Sequence, residues 1–295
     1  MATVSCGGTS ERYRFIQRLS SEIGVKFLCT FLGVSRSGYY DWLKREPAKR
    51  TIEDDELRGL IQTVYDTAEE RYGSPRVFNA LKKQGIAIGR KRVERLMREM
   101  GLRGRVVKVT HRNPGLKQFL ASGENLRLGM ESVTGIDQVW VADITYLKVG
   151  KRWMYLSVIM DLYSRKIISW TLDHQRTTQV TKRTLKYALK NRRPETEVIF
   201  HTDRGIEYRG HVFQKALERH GLKHSLNRLG QCTDNAHMES FFHSMKAELI
   251  RGNRYSNEAD LRYDLVKYIN QFYNKKRLHS GIDYKTPIEY EALAA

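Results

Sequence analysis

The chain has 295 residues, and its 52 Lys and Arg against 33 Asp and Glu give it a formal net charge of +19. This length predicts two or three domains, each able to bury its own core. The charge predicts a polyanionic partner, foremost nucleic acid, because Lys and Arg neutralise phosphates with counterion release; a solubilising charge or an anionic membrane surface are the alternatives.

Other function classes are excluded by what the sequence lacks. No apolar run approaches the ~20 residues of a membrane-spanning helix, and Met1 to Ser10 has neither the basic start nor the apolar stretch of a signal peptide. Three cysteines without a C-x-x-C spacing indicate neither a disulfide framework nor a four-ligand zinc site. We therefore expect a cytoplasmic protein without a membrane partner.

Residues 1–50 are predicted to form an N-terminal helical segment. Apolar residues recur at three- and four-residue steps between residues 11 and 44. A turn at Leu32 to Ser35 is followed by a helix over Arg36 to Lys44, for which Ser35 is a plausible N-cap. This is the layout of a helix-turn-helix, although any small helical hairpin fits the pattern equally well.

Residues 51–105 are predicted to form a second helix-turn-helix domain. An apolar stripe from Leu57 to Ala68 marks its first helix. The segment Gly73 to Pro75 supplies an N-cap and a first-turn proline for a helix that ends near Gln84. A third helix is predicted over Arg90 to Met100.

A basic surface is expected on that third helix. Lys91, Arg95 and Arg98 lie at four- and three-residue steps, so that they share one helix face, and Arg103 and Arg105 continue the positive charge. We interpret these five residues as DNA phosphate contacts and residues 106–135 as a basic linker. A solvated basic helix without a ligand is the alternative.

From residue 136 onward the pattern changes to short strands, and residues 136–295 are predicted to form one catalytic domain with a helical tail. Three consecutive strands indicate an antiparallel meander, after which helices and strands alternate. This order predicts an α/β domain with a mixed five-stranded sheet covered by helices. The predicted strands are Val139 to Leu147, Trp153 to Leu162, Lys166 to Leu172, Glu197 to His201 and Lys223 to Asn227; the helices are Thr178 to Asn191, Gly210 to Gly221, Asp234 to Ile250 and Asn257 to Tyr273.

Three carboxylates stand out in this domain. Asp143 interrupts an apolar strand, where burial disfavours an unpaired charge. Asp203 follows the end of another strand, where open α/β sheets usually present ligands, and Glu239 lies on a helix that Asp234 could cap. Each acid alone fits an ordinary structural role. Together they predict a site for two Mg²⁺ or Mn²⁺ ions, which prefer oxygen ligands and support phosphodiester chemistry.

Three motifs carry a specific resemblance. The segments Val141 to Tyr146, His201 to Gly205 and Asp234 to Phe242 resemble the catalytic motifs of IS3-family insertion-sequence transposases, in their second-reading-frame form with an integrase-like DDE core of the RNase H-like superfamily. Asp203 and Glu239 are separated by 35 residues, the spacing that names the DD35E group. Tyr72 to Val77 is similar to the family's helix-turn-helix, and Tyr273 to Ser280 with Thr286 to Tyr290 is similar to its C-terminal signature.

The resemblance implies a DNA transposase that cleaves a donor strand and joins it to target DNA, with Asp143 bridging two metal ions and Asp203 and Glu239 each holding one. It also implies that Lys246 contacts DNA near the reacting end; His201, Asn235 and His243 are near enough in sequence to support the ligands. It further implies a homo-oligomer on DNA and fusion to, or partnership with, an upstream first-frame protein that carries a helix-turn-helix and a leucine zipper. An RNase H-like nuclease without strand transfer and a non-catalytic DNA-binding regulator are the alternatives.

Overall fold

The computed structural model describes residues 8–46, 49–105, 124–128, 130, 132–228 and 232–294. The chain divides into two compact units, Met1–Gly59 and Leu60–Ala295. Most of the predicted basic linker, residues 106–123, lies outside the described residues. Among those that are described, no helix combines the length and the apolarity needed to cross a membrane.

The first unit contains three short helices, α1 (Thr9–Leu19), α2 (Val25–Phe31) and α3 (Arg36–Lys44). They pack around a small core that includes Ile16, Leu28 and Tyr39. Between α2 and α3 the chain turns at Gly33, whose φ of 64° favours glycine. Ser35 then accepts a hydrogen bond from the Gly38 amide at 3.3 Å, so the predicted N-cap is confirmed.

This cap gives a first testable prediction. Ser35→Ala leaves an amide of the first turn of α3 without its acceptor and should destabilise the first unit by about 1 kcal/mol. Hydrogen exchange of the α3 amides should accelerate accordingly. Ser35→Asp, which keeps an acceptor, and Ser21→Ala, at an exposed serine of the same unit, are the controls; equal protection of α3 in Ser35→Ala and the wild type would assign the cap no energetic role.

The second unit begins within α4 (Lys49–Thr67), which is followed by α5 (Ser74–Lys83) and α6 (Arg90–Glu99). Gly73 is the N-cap residue of α5 and Pro75 lies in its first turn, as predicted. The buried faces of α5 and α6 carry aliphatic side chains such as Val77 and Leu96. The bounds predicted for both helices, from the start signal at Gly73 to Pro75 for α5 and from the apolar pattern for α6, are therefore correct to within a residue.

A mixed five-stranded sheet follows, which confirms the predicted fold class. Its strands are β1 (Val139–Val149), β2 (Arg152–Asp161), β3 (Ile167–Asp173), β4 (Val198–Thr202) and β5 (Leu222–Leu226). They are ordered β3-β2-β1-β4-β5. β1, β2 and β3 form the predicted antiparallel meander, whereas β4 runs parallel to both β1 and β5. β1 is thus the central strand, which explains its nearly continuous apolar sequence.

Helices α7 (Thr178–Arg192), α8 (Ile206–Arg209) and α9 (His211–Arg219) connect and cover these strands. Trp140, Phe200 and Phe213 are fully buried between the sheet and these helices. The four-residue helix α8 directly follows β4 and was not predicted. Its length is too short for a periodic pattern, but it carries Glu207, which becomes important at the site below.

The C-terminal part contains α10 (Ala236–Met245), α11 (Glu258–Val266) and α12 (Pro287–Glu291). A 3₁₀ turn, Cys232–Asn235, precedes α10, and α10 and α11 continue as π-helices over Lys246–Ile250 and Lys267–Tyr273. The prediction that Asp234 caps α10 is wrong. Its carboxylate instead accepts hydrogen bonds from Arg228 and Asn125, and the bond from Arg228 lowers the pKa of Asp234 to about 2.

The C-terminal tail is joined to the start of α5 by a buried ionic cluster. Glu248 accepts hydrogen bonds from Arg277 at 2.8 to 3.1 Å and from the Tyr268 hydroxyl at 2.8 Å. Arg76 lies 3.8 Å from the same carboxylate and donates to the Leu278 carbonyl. The segment that resembles a helix-turn-helix therefore also packs against the C-terminal tail.

Candidate active site

Asp143 and Asp203 lie at the same edge of the sheet. The parallel pairing of β1 and β4 ends at Ala142 and Thr202. Asp143 is the next residue of β1, which continues to Val149, and Asp203 is the first residue after β4. Asp143 accepts a hydrogen bond from the Ile144 amide at 2.7 Å, and Asp203 accepts one from the Gly205 amide at 2.9 Å. The structure thus brings two of the three predicted acids side by side.

The electrostatics of this pair disfavour two full negative charges. Burial, and then the neighbouring Asp203, raise the pKa of Asp143 to about 8. Burial likewise raises the pKa of Asp203 above its usual range, against the opposing effects of the Gly205 amide and Arg176. Two adjacent carboxyl groups in a desolvated position share protons unless a cation compensates their charge. The pair is therefore suited to a cation that prefers oxygen ligands.

Glu239 lies on α10, beside the same edge of the sheet. The buried Asn235 joins the start of this helix to β1, because its side-chain amide donates to the Ala142 carbonyl at 3.1 Å. The Glu239 side chain is exposed, and its charge makes a small contribution to the raised pKa of Asp143. Across the described ranges no three His, Cys, Asp or Glu side chains lie close enough to hold a metal ion, so Glu239 faces the pair without closing a three-ligand site.

An ion pair that the sequence did not indicate lies beside Asp203. Arg176 Nε lies 2.5 Å from Glu207 Oε1, and its Nη2 lies 3.2 Å from Oε2. Gly205 passes between the acids: a Cβ there would lie 2.9 Å from Asp203 Oδ1 and 2.7 Å from Glu207 Oε2. A larger residue at Gly205 would therefore have to displace one of these two carboxylates. The buried Glu207 holds the Arg176 guanidinium near the Asp143 and Asp203 pair.

Lys246 follows α10 on the side that faces Asp143. Burial lowers the pKa of Lys246, while the charge of Asp143 opposes that effect. Its Nζ lies 4.7 Å from the centroid of the Tyr146 ring, and Tyr146 in turn contacts Trp153 edge to face at 5.1 Å. Both aromatic rings are at least half exposed. The family resemblance pointed to Lys246 alone, although Tyr146 occupies an outward position of β1 and could have been found by strand alternation.

Three residues were expected to support the metal ligands, and they lie in different surroundings. Asn235 fixes α10 as described above. His201 is buried and its Nδ1 lies 2.8 Å from the Ser225 hydroxyl; burial lowers its pKa to about 4, so its imidazole is neutral at pH 7. His243 is half-buried on α10.

The basic residues expected to contact DNA fall into two groups. Lys91 is exposed on α6, whereas Arg95 and Arg98 form ion pairs along the helix with Glu99 at 2.8 Å and Glu94 at 3.8 Å. These acids reduce the positive charge of that face. Arg103 and Arg105 are also exposed; Arg105 additionally donates to the Glu248 carbonyl at 3.2 Å, which ties it to the catalytic domain.

Comparison with known protein families identifies the same organisation. Residues 134–232 and 220–287 match two models described as an integrase core domain. Residues 53–109 match a model described as an HTH-like domain. These matches cover the second unit almost from end to end.

Individual relatives extend the similarity to nearly the whole chain. A transposase InsF for insertion sequence IS3A from Escherichia coli (strain K12) is 35% identical over 286 residues, which cover 95% of this chain and 98% of the relative. An uncharacterized 31 kDa protein of insertion element IS600 from Shigella sonnei is 35% identical over 89% of this chain and 97% of its own length. Among solved structures, a chain of a simian T-cell lymphotropic virus intasome matches 78% of this chain and 74% of its own with a TM-score of 0.47 and 15% identity.

Proposed function

The chain belongs to the IS3 family of insertion-sequence transposases, and from this membership we propose that it cleaves donor DNA and transfers the strand at a divalent-metal site formed by Asp143, Asp203 and Glu239. It is a DNA transposase with an integrase core and an HTH-like domain. The observation that carries the proposal is the half-buried pair of Asp143 and Asp203, which lies where the parallel pairing of β1 and β4 ends.

The chemistry of these side chains fits Mg²⁺ or Mn²⁺. Carboxylate oxygens are the ligands that both ions prefer. Burial and the neighbouring Asp203 raise the pKa of Asp143 despite the nearby Arg176, so a bound cation would favour the ionised form of the pair. Two such ions, when bound, activate an attacking oxygen and stabilise the leaving oxygen of a phosphodiester displacement. Glu239 is the expected additional ligand, because it is exposed on the helix that Asn235 fixes next to β1.

The surrounding residues position the DNA and the acids. Arg176, held by Glu207, keeps a positive charge beside Asp203, where a scissile phosphate would approach. Lys246 and the exposed Tyr146 offer a cation and an aromatic face on the Asp143 side, which suits a DNA strand near its reacting end. Assembly as at least a dimer on paired ends, and help in end recognition from a first-frame protein, belong to the same proposal.

One reaction separates this function from its rivals. The purified chain is mixed with Mg²⁺ and a labelled duplex that carries one end of its own insertion sequence. We expect labelled products longer than the substrate, because the exposed 3′ hydroxyl joins a second duplex. Cleavage without joined products would identify a nuclease, and binding without cleavage a regulator.

Lys246 and Tyr146 are expected to act together on the DNA end. Lys246→Ala should weaken binding of the labelled end several-fold, since a Lys contact to phosphate contributes to affinity without reading sequence. Tyr146→Ala should have a similar effect, because the Tyr146 ring holds the ammonium group. The affinity of each variant for the labelled end is measured by fluorescence anisotropy in EDTA, and Lys151→Ala, at an exposed lysine, is the control. Wild-type end binding by both variants would show that Lys246 is an ordinary solvated lysine.

A further inference from the structure

A cavity of about 260 Å³ lies behind α10, on the side of that helix turned away from Glu239. His237, Ser240 and Ser244 line it from α10 at helical spacing, whereas Glu239 and Lys246 occupy the opposite side of the helix. Ser240 and Ser280 are exposed at its rim. The cavity is therefore reachable from solvent but separate from the acid pair.

Three arginines from distant parts of the chain meet at this cavity: Arg76 from α5, Arg165 from the turn between β2 and β3, and Arg277 from the C-terminal tail. The Glu248 carboxylate binds Arg277 closely and lies 3.8 Å from Arg76, so it offsets only part of this charge. His279 adds no charge, because burial and then Arg277 and Arg76 hold its pKa well below the usual range. The cavity consequently keeps an excess of positive charge.

Two features of Arg165 at this cavity are energetically unfavourable: its backbone conformation and an unpaired nitrogen of its guanidinium group. Its backbone φ is 64°, in the left-handed region that residues other than glycine rarely adopt. Its Nη1 is buried and has no hydrogen-bond partner among the described residues, although a buried guanidinium nitrogen is normally paired. The Arg165 side chain also lines the cavity, so a ligand bound there could supply the acceptor that this guanidinium group lacks.

We propose that this cavity is a second DNA phosphate site, in which Arg165 and the serine hydroxyls of α10 bind a phosphodiester of the DNA backbone. Guanidinium groups and hydroxyls are the donors that proteins use for phosphate oxygens. One DNA phosphate would then bind in this cavity and another beside the acid pair. The helix α10 would lie between these two contacts with the DNA backbone. The inference rests on the chain's being a DNA transposase and is independent of which side chains hold the metal ions.

The test compares two substitutions of equal size at Ser244. Ser244→Asp brings a negative charge to the cavity, whereas Ser244→Asn does not; Ser256→Asp places the same charge on an exposed serine outside the lining. Affinity for a short DNA duplex of arbitrary sequence is measured in EDTA at several salt concentrations, so that metal binding and catalysis do not enter. Arg165→Gln is the second variant, with its melting temperature checked first.

We expect Ser244→Asp and Arg165→Gln to bind the duplex several-fold more weakly than Ser244→Asn. The slope of log affinity against log salt should be shallower by about one in both, as for the loss of one phosphate contact. Equal slopes for Ser244→Asp and Ser244→Asn, or an equal loss in Ser256→Asp, would overturn the proposal. If inorganic phosphate, followed by ³¹P NMR, binds Ser244→Asn but not Ser244→Asp while the DNA slopes agree, the cavity is a free-phosphate site and the DNA assignment is wrong.

Discussion

Asp143→Asn, Asp203→Asn and Glu239→Gln are each expected to reduce strand transfer by more than ~10²-fold while DNA binding in EDTA persists. Changing groups that only orient a metal ligand already costs about 10- to 100-fold, so that losing a ligand should cost more. Joined products from labelled end DNA in Mg²⁺ provide the measurement. The three variants should also resemble one another, because residues that act as a unit are not additive.

Glu197→Gln is the matched control for this series. Glu197 is an exposed acid directly before β4, paired with Lys223 at 2.7 Å on the surface, and its loss should leave strand transfer unchanged. Strand transfer at the wild-type rate in Glu239→Gln alone would reduce the proposed site to the Asp143 and Asp203 pair.

The largest effect on stability is expected at Glu248. Glu248→Gln keeps the size of the side chain but leaves the buried Arg277 without its counter-charge, and removal of one partner of a buried ion pair costs about 3–5 kcal/mol. Urea unfolding should show this loss in the free energy of unfolding. Glu197→Gln is again the control, since its pair with Lys223 is more than half exposed and exposed pairs contribute about 0–1 kcal/mol.

The pKa of Glu248 also determines how its contribution to stability depends on pH. Burial raises the pKa of Glu248, but Arg277 and Arg76 outweigh that effect and hold it below its usual range in the folded protein. Its contribution is therefore complete above the unfolded pKa of about 4.3 and is lost as the pH falls through the lower folded pKa. The difference in stability between the wild type and Glu248→Gln should shrink over that acidic range. A difference that stays constant from neutral pH to well below 4 would contradict this origin.

The strands and the acid motifs were readable from sequence because they depend on local pattern. Asp143 interrupts the apolar run of a central strand, and Asp203 follows the end of the next parallel strand. The sequence indicated that the two could converge, but the strand order that places β1 beside β4 came from the structure. The Ser35 cap was predictable for the same reason, since its acceptor and donor are three residues apart.

The features that were missed depend on contacts between distant residues. Asp234 was expected to cap α10, but Arg228 and Asn125 compete for its carboxylate, and Asn125 is 109 residues away. The Arg176 and Glu207 pair joins a loop to the unpredicted helix α8. Tyr72 donates to a carbonyl 204 residues away, so no local pattern could show that this segment docks onto the tail. In each case a tertiary contact decides the outcome and local propensity does not.

The position of a bound ion tests the metal site most directly. A crystal of the full chain soaked in Mn²⁺ would locate the ion by its anomalous scattering, without any DNA or activity. We predict Mn²⁺ between the carboxylates of Asp143 and Asp203, with the Glu239 side chain turned toward it. Mn²⁺ bound elsewhere, or an acid pair that remains without an ion at saturating Mn²⁺, would contradict the proposal that these residues form the catalytic metal site.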